Sequence, residues 1–153
     1  MSLTLEFALG DPDKITRAIK EGDFDKLNDP AVTKGRADLS LHITPHDLDT
    51  LSEEFASASG CRAVTLRPYL QVLHDDSECG VLLVDRFWIS YAAAVPTTQV
   101  KGVTQRWIAR MSQEYEDPQI VFTDAAMRAV GDLVALCARA KADGEPVVHL
   151  WNL

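Results

Sequence analysis

The chain of 153 residues has few cysteines, few basic residues and no long apolar run, and each shortage excludes a class of protein. Three widely spaced cysteines are typical of reduced thiols in a cytoplasmic protein rather than of a disulfide framework. The longest apolar stretch, residues 81–95, contains Asp85 and Arg86, so it falls short of the roughly 20 apolar residues of a membrane helix. The first residues lack the basic and apolar blocks of a signal peptide. The sequence therefore predicts a cytoplasmic protein of bacterial type.

Basic side chains are outnumbered, with 15 Lys and Arg against 23 Asp and Glu and a formal net charge of −8. Residues 37–61 contain no Lys or Arg at all. A protein that binds nucleic acid needs cations along the phosphate backbone, and anionic lipid repels an acidic protein. We therefore expect neither a nucleic acid nor a membrane as partner. A basic protein partner is compatible with the charge, although solubility alone also accounts for it.

The sequence also lacks the motifs of common cofactor and catalytic sites. It contains no Gly-x-Ser-x-Gly elbow, no glycine-rich phosphate loop and no dinucleotide fingerprint. No cofactor is predicted, and no residue is assigned a catalytic role.

Alternating apolar residues predict strands, and capping residues before apolar stripes predict helices. Residues 28–36, with Pro30 and Gly35, are predicted to form an irregular loop. The predicted helices start at Asp11, Thr44, Asp85, Thr98 and Thr123. The predicted strands are residues 3–9, 38–43, 63–66, 69–73, 81–84 and 147–151. This irregular mixture predicts a single α+β domain over residues 1–153, with a mainly antiparallel sheet packed against several helices.

The helix that starts near Thr44 is the most acidic element of the chain. We interpret the protein as a non-catalytic interaction protein, an inhibitor, immunity-like factor or adaptor that presents this helix to a basic partner. The residues predicted to bind the partner are Asp47, Asp49, Glu53 and Glu54.

A small hydrolase, metal-dependent or acid/base, is the first alternative. His42 and His46 lie close to carboxylates, and imidazole and carboxylate are suitable ligands for transition metals. The two histidines straddle a predicted strand-to-helix corner, however, so a solvated helix start is the preferred interpretation of them. His74 with Asp75, Asp76 and Glu78 offers a general base oriented by carboxylates, although a polar hairpin turn is the simpler interpretation.

A small-molecule-binding module is the second alternative. Its predicted pocket is aromatic and is lined by Tyr69, Phe87 and Trp88. Trp151, near the end of the chain, is expected to pack into the core as the last strand joins the sheet.

Overall fold

A computed structural model describes residues 4–41, 45–61 and 69–153. The described residues form five strands and five α-helices in mixed order. The strands are β1 (Thr4–Gly10), β2 (Thr33–Asp38), β3 (Tyr69–Asp75), β4 (Cys79–Val84) and β5 (Val147–Asn152). The helices are α1 (Pro12–Lys20), α2 (Pro45–Ser59), α3 (Arg86–Ala93), α4 (Val100–Glu114) and α5 (Asp124–Asp143).

The strands form one sheet in the order β2-β1-β5-β4-β3. Each of the strand pairings found in the described residues is antiparallel. The predicted fold class, α+β with a mainly antiparallel sheet in one compact domain, is therefore confirmed.

The sheet has an apolar cluster on each face, because successive side chains of a strand point in opposite directions. Phe7 and Leu9 of β1 belong to the large cluster, which also contains the apolar stripes of α2, α3, α4 and α5. Ala8 belongs to a smaller cluster together with Ile15 and Ile19 of α1. Helix α1 thus covers one face, and the other four helices cover the opposite face.

Two buried tryptophans fix the position of α2. The indole Nε1 of Trp88 in α3 donates a hydrogen bond of 2.6 Å to the hydroxyl of Ser52. The indole Nε1 of Trp107 in α4 donates to the backbone carbonyl of Asp47 at 2.9 Å. Since a buried indole N–H needs an acceptor, these contacts set the depth and rotation of α2 between its neighbours.

Three predicted helix starts are confirmed by their capping hydrogen bonds. Asp11 accepts from the backbone N–H groups of residues 13 and 14, and Asp85 accepts from those of residues 87 and 88. Thr123 accepts from the N–H of Ala126 at the start of α5, which ends at Gly144 in the left-handed conformation.

The predicted loop over residues 28–36 is partly wrong, because β2 starts inside it at Thr33. An edge strand needs few apolar residues, so its pattern is weak in the sequence. Gly35 is suited to this place, since a Cβ there would lie 3.0 Å from the Leu136 side chain of α5. Of the strand predicted over residues 38–43, only Asp38 lies in a strand, because β2 ends there and residues 39–41 continue without strand structure; residues 42–43 lie outside the described part of the chain.

Two predictions concern residues outside the described part of the chain, namely the helix cap at Thr44 and the strand over residues 63–66. Trp151 is half-buried and packs against the large core cluster. Among the described residues, no helix combines the length and the apolar character needed to cross a membrane.

Candidate ligand-binding cleft

A cleft opens between the first turn of α2, the second half of α4 and the segment that leads into α5. Its volume is about 570 Å³, which lies in the range of roughly 300–1,000 Å³ typical of small-molecule sites. Most of the wall is apolar, so the cleft offers a ligand mainly hydrophobic contact. The described lining residues are Leu41, Asp47, Ile108, Met111, Tyr115, Asp117, Ile120, Val121, Thr123 and Ala126.

Asp47 is a buried carboxylate in the wall of this cleft. The residue is only 2% exposed. The hydroxyl of Tyr115 donates a hydrogen bond of 2.9 Å to its Oδ1 atom. Together with the bond from Trp107 to its backbone carbonyl, this contact attaches the first turn of α2 to α4. A buried carboxylate needs such partners, because an uncompensated buried charge is strongly destabilising.

Asp117 and Thr123 add side-chain oxygens to the wall. Oδ1 of Asp117 accepts the backbone N–H of Gln119 at 2.9 Å, and the hydroxyl of Thr123 accepts that of Ala126 at 3.1 Å. Among the described lining residues, none is a lysine, arginine or histidine. With the carboxylates of Asp47 and Asp117 on its wall, the cleft favours a cation or a hydrogen-bond donor over an anion.

A histidine–carboxylate pair lies beside the cleft. Nε2 of His46 lies 2.7 Å from Oε1 of Glu114, and each of these residues directly precedes a lining residue in the sequence. The hydrogen bond with Glu114 raises the pKa of His46 above its ordinary value of 6.5. Both side chains are exposed, so the pair is a pH-dependent link between α2 and α4 at the surface.

The structure corrects the expectation that all four acidic residues of α2 face a partner, because Asp47 and Glu54 are buried. Glu54 accepts hydrogen bonds from Nε of Arg106 at 2.8 Å and from Arg110 at 3.3 Å. Arg110 also binds Glu53. The arginines of α4 therefore bind two of the four carboxylates that were predicted to contact a partner.

Asp49 and Glu53 remain partly exposed on α2. The partner-binding hypothesis thus stays a prediction, and it rests on these two residues rather than on four.

The hydrolase alternative required His42 and His46 to converge. His42 lies outside the described residues. His46 is exposed, and its imidazole is bound to Glu114.

The predicted aromatic pocket is wrong as proposed. Trp88 is buried in the core, where its ring stacks on Phe7 with 5.7 Å between the ring centroids. Phe87 is 72% exposed, because consecutive residues of a helix point about 100° apart. The side chain of Tyr69 lies outside the described part of the chain.

The sequence does not predict the cleft that Tyr115, Asp117 and Ile120 help to build. Tyr115 continues the apolar stripe of α4, four residues after Met111, so its position predicted burial, whereas the residue is 46% exposed. Its hydroxyl is the one signal in the sequence that pointed to a polar contact, and its partner Asp47 lies 68 residues away.

Comparison with known proteins identifies no family for this chain. No family model matches the chain, and no curated protein matches it. Among solved structures, it is similar to a protein of unknown function from Escherichia coli, YfbM, with 17% sequence identity. The similarity covers 97% of this chain and 99% of YfbM, with a TM-score of 0.48.

Proposed function

We propose that this protein is a binding module whose cleft holds a small molecule with an apolar body and a cationic or hydrogen-bond-donating group. The observation that carries the proposal is the buried carboxylate of Asp47 in the wall of a mostly apolar cleft of about 570 Å³. Small-molecule sites combine these features, a hydrophobic wall with a few fixed polar groups that orient the ligand.

The chemistry of the wall selects the ligand class. Ile108, Met111 and Ile120 offer contact to an aromatic or aliphatic body. A carboxylate has about four acceptor positions, so the bond from Tyr115 to Asp47 is compatible with a further bond from an ammonium or hydroxyl donor. Bringing an anionic ligand beside Asp47 and Asp117 would oppose like charges, and the described lining residues include no cation to compensate them. An amine is therefore the preferred head group.

A matched pair of probes tests this preference. Phenethylamine and hydrocinnamate share a phenyl body of similar length, but one carries an ammonium group and the other a carboxylate. We expect phenethylamine to shift the methyl NMR signals of Met111 and Ile120, and hydrocinnamate to leave them unchanged. Equal binding of the two probes, or no shift with either, would contradict the proposal.

Variants separate the carboxylate from the apolar wall. Asp47→Asn should weaken the amine at least tenfold, because a hydrogen bond to a charged group contributes about 1.5–3 kcal/mol. Asp25→Asn, which removes an exposed carboxylate outside the cleft, should leave binding unchanged. Val121→Trp should block the cleft without disturbing the core, since Val121 is 60% exposed at its rim. Equal affinity of all three variants would show that the probe binds elsewhere.

A second proposal keeps the interaction function, in a cytoplasmic protein whose partner is basic. The net charge of −8 and the partial exposure of Asp49 and Glu53 support it. The double variant Asp49→Lys/Glu53→Lys should weaken binding of a polylysine peptide at low salt more than Asp13→Lys/Asp25→Lys does. If the two double variants bind the polylysine peptide equally, the peptide responds only to net charge and α2 has no special role.

A further inference from the structure

The hairpin between β3 and β4 brings three different metal-ligating groups together. Nε2 of His74 lies 2.9 Å from Oδ2 of Asp76, and Sγ of Cys79 lies 3.7 Å from the same oxygen. One ligand atom from each of the three residues lies within 4.8 Å of the other two. In the sequence, His74 and Asp76 are typical of a polar turn, and Cys79 follows Asp76 by three residues.

These separations match the edges of a small coordination tetrahedron. Zinc binds sulfur at about 2.3 Å, imidazole nitrogen at about 2.0–2.1 Å and carboxylate oxygen at about 2.0–2.2 Å, so its ligand atoms lie roughly 3.4–3.6 Å apart. The pair from Asp76 to Cys79 is already at this spacing, and the pair from His74 to Asp76 is about half an ångström closer. To surround one ion, the His74 imidazole must move about half an ångström away from Asp76, while its separation from the Cys79 sulfur is already within 4.8 Å.

The turn itself holds the carboxylate in position. Oδ1 of Asp76 accepts the backbone N–H groups of Glu78 and Cys79, both at 2.8 Å. These two bonds fix the carboxylate plane, so that Oδ2 points toward His74 and Cys79. Such bonds to the second oxygen of a ligand are the outer contacts that orient groups in natural metal sites.

Exposure and donor type indicate the class of ion. Cys79 is buried and the His74 side chain is 18% exposed, whereas that of Asp76 is 47% exposed. The site is therefore lined by protein on one side and open to solvent at the carboxylate. One sulfur, one nitrogen and one oxygen suit a borderline ion such as Zn²⁺, whereas Ca²⁺ and Mg²⁺ prefer oxygen ligands.

We propose that His74, Asp76 and Cys79 form a binding site for a divalent ion of the zinc class, with a fourth position open to water or to an added ligand. This site lies on a different pair of elements from the Asp47 cleft, so it does not depend on the ligand proposed there. Three protein ligands with an open fourth position are the arrangement of zinc sites that exchange a ligand.

Cobalt titration of the metal-stripped protein tests the site. Co²⁺ replaces Zn²⁺ in tetrahedral sites, and its absorption reports both coordination geometry and a bond to thiolate. We expect one Co²⁺ per chain with a thiolate charge-transfer band, and displacement of that Co²⁺ by added Zn²⁺. Absence of the band at saturating Co²⁺ would overturn the proposal.

Matched variants identify the ligands. Cys79→Ser should abolish the charge-transfer band, and Cys61→Ser, which removes a half-buried thiol elsewhere, should preserve it. His74→Ala should weaken Zn²⁺ binding at least tenfold, because loss of an outer contact alone typically costs 10–100-fold in affinity. His46→Ala is its control and should bind like the wild type. A band that survives Cys79→Ser, or equal affinity of the two histidine variants, would assign the metal to other groups.

Discussion

His149, which lies fully buried in β5, should make the unfolding free energy fall as the pH drops below about 6.5. Its imidazole stacks on Phe7 with 4.7 Å between the ring centroids. Burial lowers the pKa of His149 from 6.5 to about 3, because the interior disfavours the charged form. The unfolded chain therefore binds a proton between these two values that the folded chain does not bind. The stability that the neutral imidazole contributes to the fold is complete above the unfolded pKa, and it is lost as the pH falls below 6.5 toward 3.

The magnitude follows from the size of the shift. Each pKa unit corresponds to about 1.36 kcal/mol, so lowering the pH to 5, some 1.5 units below the unfolded value, should cost about 2 kcal/mol from His149 alone. The variant His149→Met removes the titrating group and keeps a buried apolar side chain of similar size. Between pH 8 and pH 5, the wild type should lose about 2 kcal/mol more of its unfolding free energy than this variant does.

Urea unfolding followed by tryptophan fluorescence at both pH values measures the difference. Comparing the pH slopes removes any loss of packing in the variant, because that loss is present at both pH values. His46→Gln provides a control of opposite sign. The pKa of His46 is raised by Glu114, so this pair stabilises the fold below pH 6.5 and is lost as the pH rises through the folded pKa. If wild type and His149→Met lose the same unfolding free energy between pH 8 and 5, the folded protein does not hold His149 in its neutral form.

Two further predictions concern packing and ion pairs. Gly80→Ala should cost about 1–3 kcal/mol in urea unfolding, because its Cβ would lie 2.0 Å from Nε1 of Trp151. Gly131→Ala should instead add up to about 1 kcal/mol, since a Cβ at this position of α5 would lie an ordinary 3.7 Å from Cγ1 of Val100 in α4. Arg110→Ala should cost about 0.5–1 kcal/mol and less at high salt, because its partly exposed guanidinium binds two carboxylates of α2. Lys101→Ala, which removes an exposed cation from the same helix, should leave the unfolding free energy unchanged. Equal losses for Arg110→Ala and Lys101→Ala would contradict a stabilising ion pair between Arg110 and α2.

The parts of the fold that follow from local chemistry could be predicted from the sequence. Asp11, Asp85 and Thr123 each bind backbone N–H groups two or three residues away, and Gly144 adopts the left-handed conformation that ends α5. These interactions are complete within one turn of chain, so the residue types alone indicate them.

The cleft could not be predicted, because its contacts join distant parts of the chain. Asp47 and Glu54 lie seven residues apart and therefore share one side of α2. The sequence shows this spacing, but it does not show that α4 packs against that side with Tyr115, Arg106 and Arg110. In the sequence alone, a carboxylate of α2 that pairs with α4 cannot be distinguished from one that is exposed to solvent.

The role of Asp47 as the recognition group of the cleft is tested most directly by a crystal structure with phenethylamine bound. We expect the phenyl ring to lie against Ile108 and Met111, with the ammonium nitrogen about 2.7–2.9 Å from a carboxylate oxygen of Asp47. A probe that occupies the cleft with its ammonium group turned toward solvent, or that binds at another surface, would contradict it.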